Sequence, residues 1–449
     1  MFNRNNLLQL RIWAKESDRK PLVLRGARQT GKTSLVNIFS KEFDQYIYLN
    51  LEKEEDNKLF SVTTSFSQLL DAIFFLKNAD RSSKKVLLFI DEIQNNPKAV
   101  AMLRYFYEEA KELFVIAAGS LLETLIDKNI SFPVGRVDYL AVRPFSFEEF
   151  IEATGETKSL ALILNLDVPI FAHDKIRELF QTYSIIGGMP EIVKDYCENR
   201  DFGRLKNIYE RLLVSYLDDV EKYASNQTQT HVIRHIISSA FHYAGTRIAF
   251  EKFGHSQYRS REMGEAFRIL EKTMLLQLMY PVSQTKLPIQ EKTRLSPKLF
   301  MLDTGLVNHA SGLQKALITS KLINENYPGK ISEHIVGQQL LAFQSSVRSK
   351  LHFWVPDKPD TQAEVDYVVQ FQDLLLPIEV KSGASGSLRS LHRFVDESPH
   401  DWAVRVYDGK FTVEDTTTVS GKKFRLINLP FYLVGQIEGI AAKVTGIQI

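Results

Sequence analysis

Residues 26–33 read GARQTGKT and fit the pattern G-x-x-x-x-G-K-[ST]. This run follows the apolar residues 22–24 and precedes a segment whose apolar residues recur at helical spacing. A strand, a glycine-containing loop and a helix in this order predict a phosphate-binding loop within a sheet. The glycines let backbone N–H groups surround a phosphate, and the helix directs its positive end at the same anion.

Within this loop, Lys32 is predicted to reach the β- and γ-phosphates of ATP, and Thr33 to ligate Mg²⁺. ATP and Mg²⁺ are therefore the expected cofactors of this part of the chain. The predicted nucleotide-contacting residues form one continuous run: Gly26, Ala27, Arg28, Gln29, Thr30, Gly31, Lys32, Thr33 and Ser34.

Four short apolar runs alternate with helical patterns over residues 21–150. They cover residues 21–25, 46–51, 86–90 and 114–118. Such alternation predicts an α/β fold with a parallel sheet and crossover helices.

Two acids follow the third run, where ligands bind in sheets of this kind. Asp91 is predicted to hold the Mg²⁺ shell, and Glu92 to orient and deprotonate the attacking water. The alternative is a strand followed by a solvated acidic turn. Because the phosphate-binding loop is present in the same sheet, we prefer the catalytic interpretation.

Ser120 follows the fourth run and is predicted to position the attacking water. The alternative role for Ser120 is a helix N-cap. Arg136 follows Gly135 on a later loop and is predicted to reach a γ-phosphate across a subunit interface. That role implies a homo-oligomer or an assembly with a partner, whereas the alternative for Arg136 is a surface ion pair.

The whole chain has 449 residues, which is too long for one ordinary core and predicts two or three domains. Formal net charge is +2, so the total charge points to no partner class. The single cysteine, Cys197, excludes an internal disulfide framework. The N-terminus lacks a signal-peptide pattern and no apolar run approaches the ~18 residues of a membrane span, so we expect a cytoplasmic protein without a membrane partner.

Positive charge is concentrated between residues 231 and 300, which hold eleven Lys/Arg and five acids. Arg261, Arg268 and Lys272 are predicted to share one face of a helix. Residues 281–301 are predicted to form a basic hairpin carrying Lys286, Lys292 and Arg294. A basic helix beside a basic hairpin suits nucleic-acid phosphates. The alternative is a solvated charged face or a module that makes only protein contacts.

The C-terminal region places Asp366 and Glu379 on two adjoining predicted strands, with a turn around residues 372–373. Glu379 and Lys381 share one face of their strand, and Glu333 lies on the preceding helix. Carboxylates of this kind, beside a lysine, predict a second Mg²⁺ or a Mn²⁺ bound by Glu333, Asp366 and Glu379. Glu379 and Lys381 are the candidate catalytic pair. The alternatives are a Glu–Lys ion pair and a domain that only binds.

Together these motifs resemble a group of AAA-superfamily ATPases of bacteria and archaea that carry a C-terminal domain of unassigned function. Further matching stretches are GR at 135–136, RPFSFEEF at 143–150, GGMPE at 187–191, KLFMLDTGL at 298–306 and IEVKSG at 378–383. The resemblance implies an AAA-type ATPase core, a winged-helix module and a PD-(D/E)XK nuclease-like α/β fold. One departure is that Pro356 precedes Asp357, whereas the acid matching that motif is Asp366.

The expected organisation is an ATPase core at 1–150, a helical lid or linker at 151–229, a winged-helix-like module at 230–323 and a nuclease-like domain at 324–449. The leading hypothesis is an ATP-hydrolysing protein that couples turnover to nucleic-acid binding or metal-dependent cleavage. The rival is a nucleotide-dependent regulatory or scaffold protein whose nuclease-like domain is inactive.

Overall fold

The computed structural model of the chain describes residues 2–63, 65–119, 133, 135–319, 329–357, 363–383 and 387–446. The chain forms two compact units. The first contains Met1–Arg143, Lys272–Met274 and Gln344–Ser349, and the second contains Pro144–Glu271, Leu275–Phe343 and Lys350–Ile449. Among the described helices, none combines the length and the hydropathy needed to cross a bilayer.

The first unit is built on a five-stranded sheet in the order β2-β3-β4-β1-β5, with every neighbouring pair parallel. The strands are β1 (Leu22–Arg25), β2 (Gln45–Asn50), β3 (Val86–Asp91), β4 (Phe114–Ala118) and β5 (Asp138–Ala141). The first four confirm the predicted apolar runs to within one residue at each end. Sequence patterning missed β5, because this four-residue strand begins with the polar Asp138 and the exposed Tyr139.

Helices cover both faces of this sheet, so its strands are buried on both sides. Along β3, Leu87 and Phe89 pack into one apolar cluster, while Leu88 and Ile90 pack into the other. The helices are α1 (Asn6–Ala14), α2 (Lys32–Phe39), α3 (Glu54–Val62), α4 (Phe66–Leu76) and α5 (Pro97–Glu109). This arrangement confirms the predicted α/β class of the N-terminal region.

The second unit begins with a helical region, and residues 151–229 were expected to be helical. Its first helix starts with a capping box, in which the Ser146 hydroxyl accepts the Glu149 N–H and the Glu149 carboxylate accepts the Ser146 N–H. The helices up to residue 319 are α6 (Phe147–Ala153), α7 (Thr157–Leu164), α8 (Ile170–Ile186), α9 (Pro190–Asn199), α10 (Phe202–Asp218), α11 (Val220–Tyr223), α12 (Gln227–Ala240), α13 (Ser260–Lys272), α14 (Thr304–Ala310) and α15 (Gln314–Thr319).

Short strands follow α13, and they correct the predicted basic hairpin. Strand β6 (Leu276–Met279) pairs antiparallel with β8 (Lys298–Met301), so the hairpin begins before residue 281. Strand β7 (Pro281–Val282) leaves it and pairs in parallel with β9 (Phe353–Trp354). The prediction of one hairpin over residues 281–301 was wrong, because the buried Val282 is drawn into the C-terminal core.

The C-terminal part of the second unit is a five-stranded mixed sheet in the order β10-β11-β12-β14-β13. Its elements are α16 (Gly329–Ala342), β10 (Tyr367–Phe371), β11 (Leu374–Lys381), α17 (Arg389–Glu397), β12 (Trp402–Tyr407), β13 (Thr412–Thr417), β14 (Lys423–Pro430) and α18 (Ile437–Thr445). Strands β10 and β11 pair antiparallel, which confirms the predicted turn at residues 372–373. A linker was predicted at residues 324–330. Its residues 324–328 lie outside the described part of the chain.

Two of the distant sequence motifs, GGMPE and KLFMLDTGL, meet inside the second unit. The buried Asp303 carboxylate accepts the Gly188 N–H at 2.6 Å and a Gln338 side-chain N–H at 3.2 Å. Burial raises the pKa of Asp303 to about 6, against the opposing effect of these donors. Gly187 has φ 71°, and a Cβ there would overlap both Asp303 oxygens. At these motifs, the C-terminal end of α8 therefore packs closely against the start of α14.

We expect Gly187→Ala to lower the free energy of unfolding by about 3 kcal/mol, from backbone strain and steric overlap together. Gly155 offers a matched control, since its φ is 81° and no atom lies within 4 Å of a Cβ built on it. Gly155→Ala should cost only the backbone strain, about 1 kcal/mol. Urea denaturation of both variants measures the difference, and equal losses would contradict the steric role of Asp303.

Candidate nucleotide site and C-terminal carboxylate cluster

The predicted phosphate-binding loop connects β1, which is buried along its length, to α2. Gln29 and Gly31 both adopt left-handed backbone conformations, with φ 64° and 92°. At Gly26, a Cβ would overlap the carbonyl oxygen of Val142. The loop therefore requires glycine at position 26, where a side chain would not fit, and favours glycine at position 31, where φ is positive.

Lys32 opens α2 and turns its side chain back into the loop. Its Nζ donates to the carbonyl oxygens of Gly26 and Ala27, each at 2.9 Å. Burial lowers the pKa of Lys32 to about 8, although the nearby Glu92 and Asp91 carboxylates oppose that change. The ammonium is thus desolvated and held by neutral oxygens that a stronger anion can replace.

The two predicted magnesium ligands lie in contact. The Thr33 hydroxyl donates to Asp91 Oδ2 at 2.8 Å, and the Tyr48 hydroxyl donates to the same oxygen at 3.2 Å. Burial raises the pKa of Asp91, and the Thr33 hydrogen bond opposes that rise. Tyr48 was missed by the sequence reasoning, although the pairing of its strand β2 with β3 brings it beside Asp91.

Glu92 follows Asp91 at the end of β3 and adopts a left-handed conformation, with φ 51°. Its half-buried carboxylate accepts a hydrogen bond from the Gln94 side-chain N–H. Gln94 was not predicted, although its position two residues beyond Glu92 could have suggested that the two side chains interact. A carboxylate oriented by a neighbouring amide at a strand end suits a group that accepts a proton from water.

Arg4 holds the loop from outside the predicted motif. Its guanidinium donates to the carbonyl oxygens of Thr30 at 2.9 Å and Arg143 at 2.6 Å, and only 7% of Arg4 is exposed. No local pattern predicts this contact, because Arg4 lies 26 residues before Thr30. The fixed charge of Arg4 thus stabilises the backbone that forms the loop.

Two predicted residues remain without support for their nucleotide roles. Ser120 lies outside the described residues. Arg136 Nε lies 3.0 Å from Glu108 Oε1, with 43% of the arginine side chain exposed, which is the ion pair considered as its alternative. A role for Arg136 at a γ-phosphate of another subunit stays a prediction.

The basic residues of the middle region differ in exposure and in whether they pair with an acid. On α13, Arg261 and Arg268 are exposed, and Arg261 donates to Glu265 at 3.0 Å. Lys272, on the same helix, is only half-buried. Lys292 forms an ion pair with Asp357. Among the residues predicted for the hairpin, Lys286 and Arg294 are exposed.

The C-terminal carboxylates come together as predicted. Asp366 Oδ2 accepts the Val380 N–H at 2.8 Å, and Lys381 Nζ lies 2.6 Å from Glu379 Oε1. Burial raises the pKa of Asp366, and the neighbouring Glu333 and Glu379 add to that rise. Burial likewise raises the pKa of Glu379, against the effect of Lys381. These acids are close enough to repel one another.

A lysine that the sequence reasoning did not place here lies among these acids. Lys298 Nζ is 2.6 Å from Glu364 Oε1, 3.2 Å from Glu333 Oε2 and 3.9 Å from Asp366 Oδ1. Glu364 was also missed, although it lies two residues before Asp366 in an alternating pattern. Only 5% of Lys298 is exposed.

This arrangement bears on the predicted second metal. Within the described part of the chain, no group of three or more His, Cys, Asp or Glu residues is arranged to hold a metal ion. Glu333 and Asp366 direct one carboxylate oxygen each at Lys298. As arranged, the predicted set of Glu333, Asp366 and Glu379 does not fit one shared divalent ion.

Comparison with known proteins gives three matches along the chain. Residues 18–151 match a family described as an AAA domain. Residues 177–317 and 328–432 match two families described as domains of unknown function (DUF8612 and DUF4143). With the parallel sheet and the loop geometry, the first match establishes a P-loop AAA-type ATPase fold for the N-terminal region.

Comparison with individual proteins gives further partial matches. An uncharacterized protein of Haemophilus influenzae is 25% identical over 393 residues, covering 85% of this chain and 86% of that protein. A Walker-type ATPase of Pyrococcus abyssi has a TM-score of 0.45 at 17% identity, over 69% of this chain and 96% of that one. The Thermotoga maritima RuvB Holliday junction branch migration motor has a TM-score of 0.28 at 16% identity, over 62% and 90%.

Proposed function

We propose that the chain binds Mg²⁺–ATP at the loop of residues 26–33 and hydrolyses it. The contact between Thr33 and Asp91 carries this proposal, since it joins a hydroxyl at the helix start to a carboxylate at a strand end. Lys32 and Glu92 flank that pair. A buried ammonium, a hydroxyl–carboxylate pair and a further carboxylate are the groups that phosphoryl transfer to water requires.

In this mechanism, Lys32 exchanges the carbonyl oxygens of Gly26 and Ala27 for phosphate oxygens. Thr33 and Asp91 would hold Mg²⁺, which would supply positive charge against the negative charge of the phosphates. Glu92 orients the attacking water and accepts its proton. Tyr48 keeps Asp91 oriented by donating to Oδ2.

ATP turnover by the full chain tests this proposal. Phosphate release should require Mg²⁺ and stop when EDTA removes it. A chain that binds Mg²⁺–ATP tightly but releases no phosphate, alone or with added DNA or RNA, would reduce the proposal to nucleotide binding.

A second candidate function is nucleic-acid binding by the middle region, acting as a winged-helix-like module. It is supported by the exposed Arg261 and Arg268, which lie seven residues apart on α13 and so face the same side. The opposite side buries Met263 and Phe267 in the core. Against this, Arg261 already has a carboxylate partner in Glu265.

The variant Arg261→Glu/Arg268→Glu should weaken binding of duplex DNA by the full chain. It should also reduce the slope of log affinity against log salt by about 2, since each phosphate contact contributes about 0.9. Lys58→Glu/Lys194→Glu is a matched control, because it makes the same change in net charge at two exposed lysines that also pair with glutamates on their own helices. An equal slope in wild type and both variants would exclude this helix face from a DNA interface.

Metal-dependent cleavage by the C-terminal domain stays a prediction, and so does an assembly in which Arg136 acts on another subunit. The arrangement around Lys298 favours the rival hypothesis of a regulatory or scaffold role for this domain. Incubating DNA and RNA with the full chain and Mg²⁺ or Mn²⁺ distinguishes the two. Cleavage that Asp366→Asn abolishes, with ATP turnover retained, would restore the nuclease hypothesis.

A further inference from the structure

We propose that Lys298 is a built-in cation of the C-terminal carboxylate cluster and excludes a divalent metal ion from it. The cluster comprises Glu333, Glu364, Asp366 and Glu379. This inference goes beyond the proposed ATP hydrolysis and does not depend on it. It assigns the ammonium of Lys298 the place among these acids that the sequence suggested for a metal.

The position of Lys298 is fixed on several sides. It lies on β8, which pairs with β6, so its backbone cannot move independently of that strand pair. Its Nζ lies 5.2 Å from the ring centre of Phe353, a residue with no exposed surface. A cation over an aromatic ring is attracted by the electron-rich face, so the ring supports the ammonium beside the carboxylates.

A second cation completes the pairing of the cluster. Arg247 donates to Glu364 Oε2 from Nε at 2.9 Å and from Nη2 at 2.6 Å. Its guanidinium lies 4.9 Å from the same Phe353 ring. Glu364 therefore uses one oxygen for Arg247 and the other for Lys298, which leaves it poorly placed to bind an ion from solution.

The charges of the cluster nearly cancel. Its four acids face three cations, Lys298, Arg247 and Lys381, so the formal charge of the cluster is no more negative than −1. Burial would lower the pKa of Lys298, but Glu333, Asp366 and Glu364 raise it above its ordinary value. The ammonium therefore stays charged at neutral pH. Adding a divalent ion would leave an excess of positive charge in a buried place, which is costly.

Glu379 Oε2 is buried and has no hydrogen-bond partner, so one oxygen remains available beside Asp366. One free oxygen is too few to hold Mg²⁺ or Mn²⁺, which take several oxygen ligands. Removing the ammonium would free the oxygens of Glu333, Glu364 and Asp366 that face it. The same acids should then bind a divalent ion.

The test is titration of Mn²⁺ into the nucleotide-free full chain, followed by the loss of the free-ion signal in electron paramagnetic resonance. Wild type should show no binding that depends on Asp366. Lys298→Met should gain an Mn²⁺ site and should melt several degrees higher with Mn²⁺ than without it, because a bound ligand stabilises the folded state. Lys298→Met/Asp366→Asn should lose both effects.

Lys292→Met is the matched control, since Lys292 lies on the segment just before β8 and also pairs with an acid. It should gain no Mn²⁺ site. Lys298→Met leaves buried carboxylates without a counter-charge, which opposes folding. The wild type therefore provides a second measurement that does not depend on this variant.

Mn²⁺ binding by wild type that Asp366→Asn removes would overturn the proposal without any variant at 298. A folded Lys298→Met chain that gains no site would overturn it as well. ATP turnover measured on the same samples separates these outcomes from failure of the ATPase proposal, because the titration uses no nucleotide.

Discussion

Lys32→Ala should abolish tight binding of Mg²⁺–ATP by the full chain. The Lys32 ammonium is buried and bonded to two carbonyl oxygens of its own loop, so it is already desolvated before a phosphate arrives. Because the ammonium is already desolvated, its ion pair with a phosphate costs little further desolvation and is strong. We expect a loss of affinity of about 100-fold or more, from the removal of one charge-assisted contact to each of two phosphates.

Equilibrium binding of a fluorescent ATP analogue measures this loss. Lys41→Ala is the matched control, because Lys41 lies just beyond the end of α2 and is exposed. It should bind as wild type does. Unaltered affinity in Lys32→Ala, with the fold intact by circular dichroism, would contradict the role of Lys32.

The same contact predicts how affinity changes with pH. In the free chain, burial brings the pKa of Lys32 to about 8, so the amine loses its proton above that pH. A bound triphosphate favours the charged form, and binding above pH 8 therefore requires uptake of a proton. Affinity should fall as pH rises through 8 and beyond. The control Lys41→Ala should follow the wild-type curve.

The candidate nucleotide site could be predicted because its signals are local in sequence. The loop of residues 26–33, the buried strand β3 and the acids after it each lie within a few consecutive residues. A parallel sheet then brings the carboxyl ends of its strands to one edge. Thr33 and Asp91 are far apart in the chain, but these rules assigned both to one predicted magnesium site, and the two side chains lie in contact.

The C-terminal cluster shows where sequence reasoning fails. Asp366 and Glu379 were predicted to meet because one tight turn joins their strands, and they do. Lys298 was counted only among the eleven basic residues between positions 231 and 300. Its strand β8 instead delivers the ammonium to acids that lie 35 and more residues later. Periodicity predicts which face a residue occupies, but it does not identify what that face meets after a long connection.

Arg247 and Lys292 were misassigned in the same way, and their ion pairs account for part of the positive charge of residues 231–300. Both belong to the basic stretch of residues 231–300, and both pair with acids beyond residue 350. Part of the local excess of positive charge therefore balances the acidic C-terminal region. The local charge count overstated the surface available to nucleic acid. The exposed Arg261, Arg268, Lys286 and Arg294 remain as candidates.

Glu92→Gln should retain Mg²⁺–ATP binding and stop most of its turnover. The substitution keeps the size of the side chain and an oxygen that can accept from Gln94. Glutamine cannot perform the one chemical step that the mechanism assigns to Glu92, which is to accept a proton from the attacking water. General-base catalysis contributes about 10²–10⁴-fold, so turnover should fall by about that factor.

Single-turnover hydrolysis and equilibrium binding, measured on the same preparation, separate the two effects. Glu52→Gln is the matched control, since Glu52 is exposed and lies just beyond the end of the neighbouring strand β2. It removes one negative charge from the same edge of the sheet without touching Asp91, so its turnover should stay near that of wild type. If Glu92→Gln hydrolyses ATP at the wild-type rate, another group accepts the proton and Glu92 only fills its place at the strand end. If binding and turnover fall together, Glu92 instead supports the magnesium site, because losing a proton acceptor alone leaves the affinity for substrate unchanged.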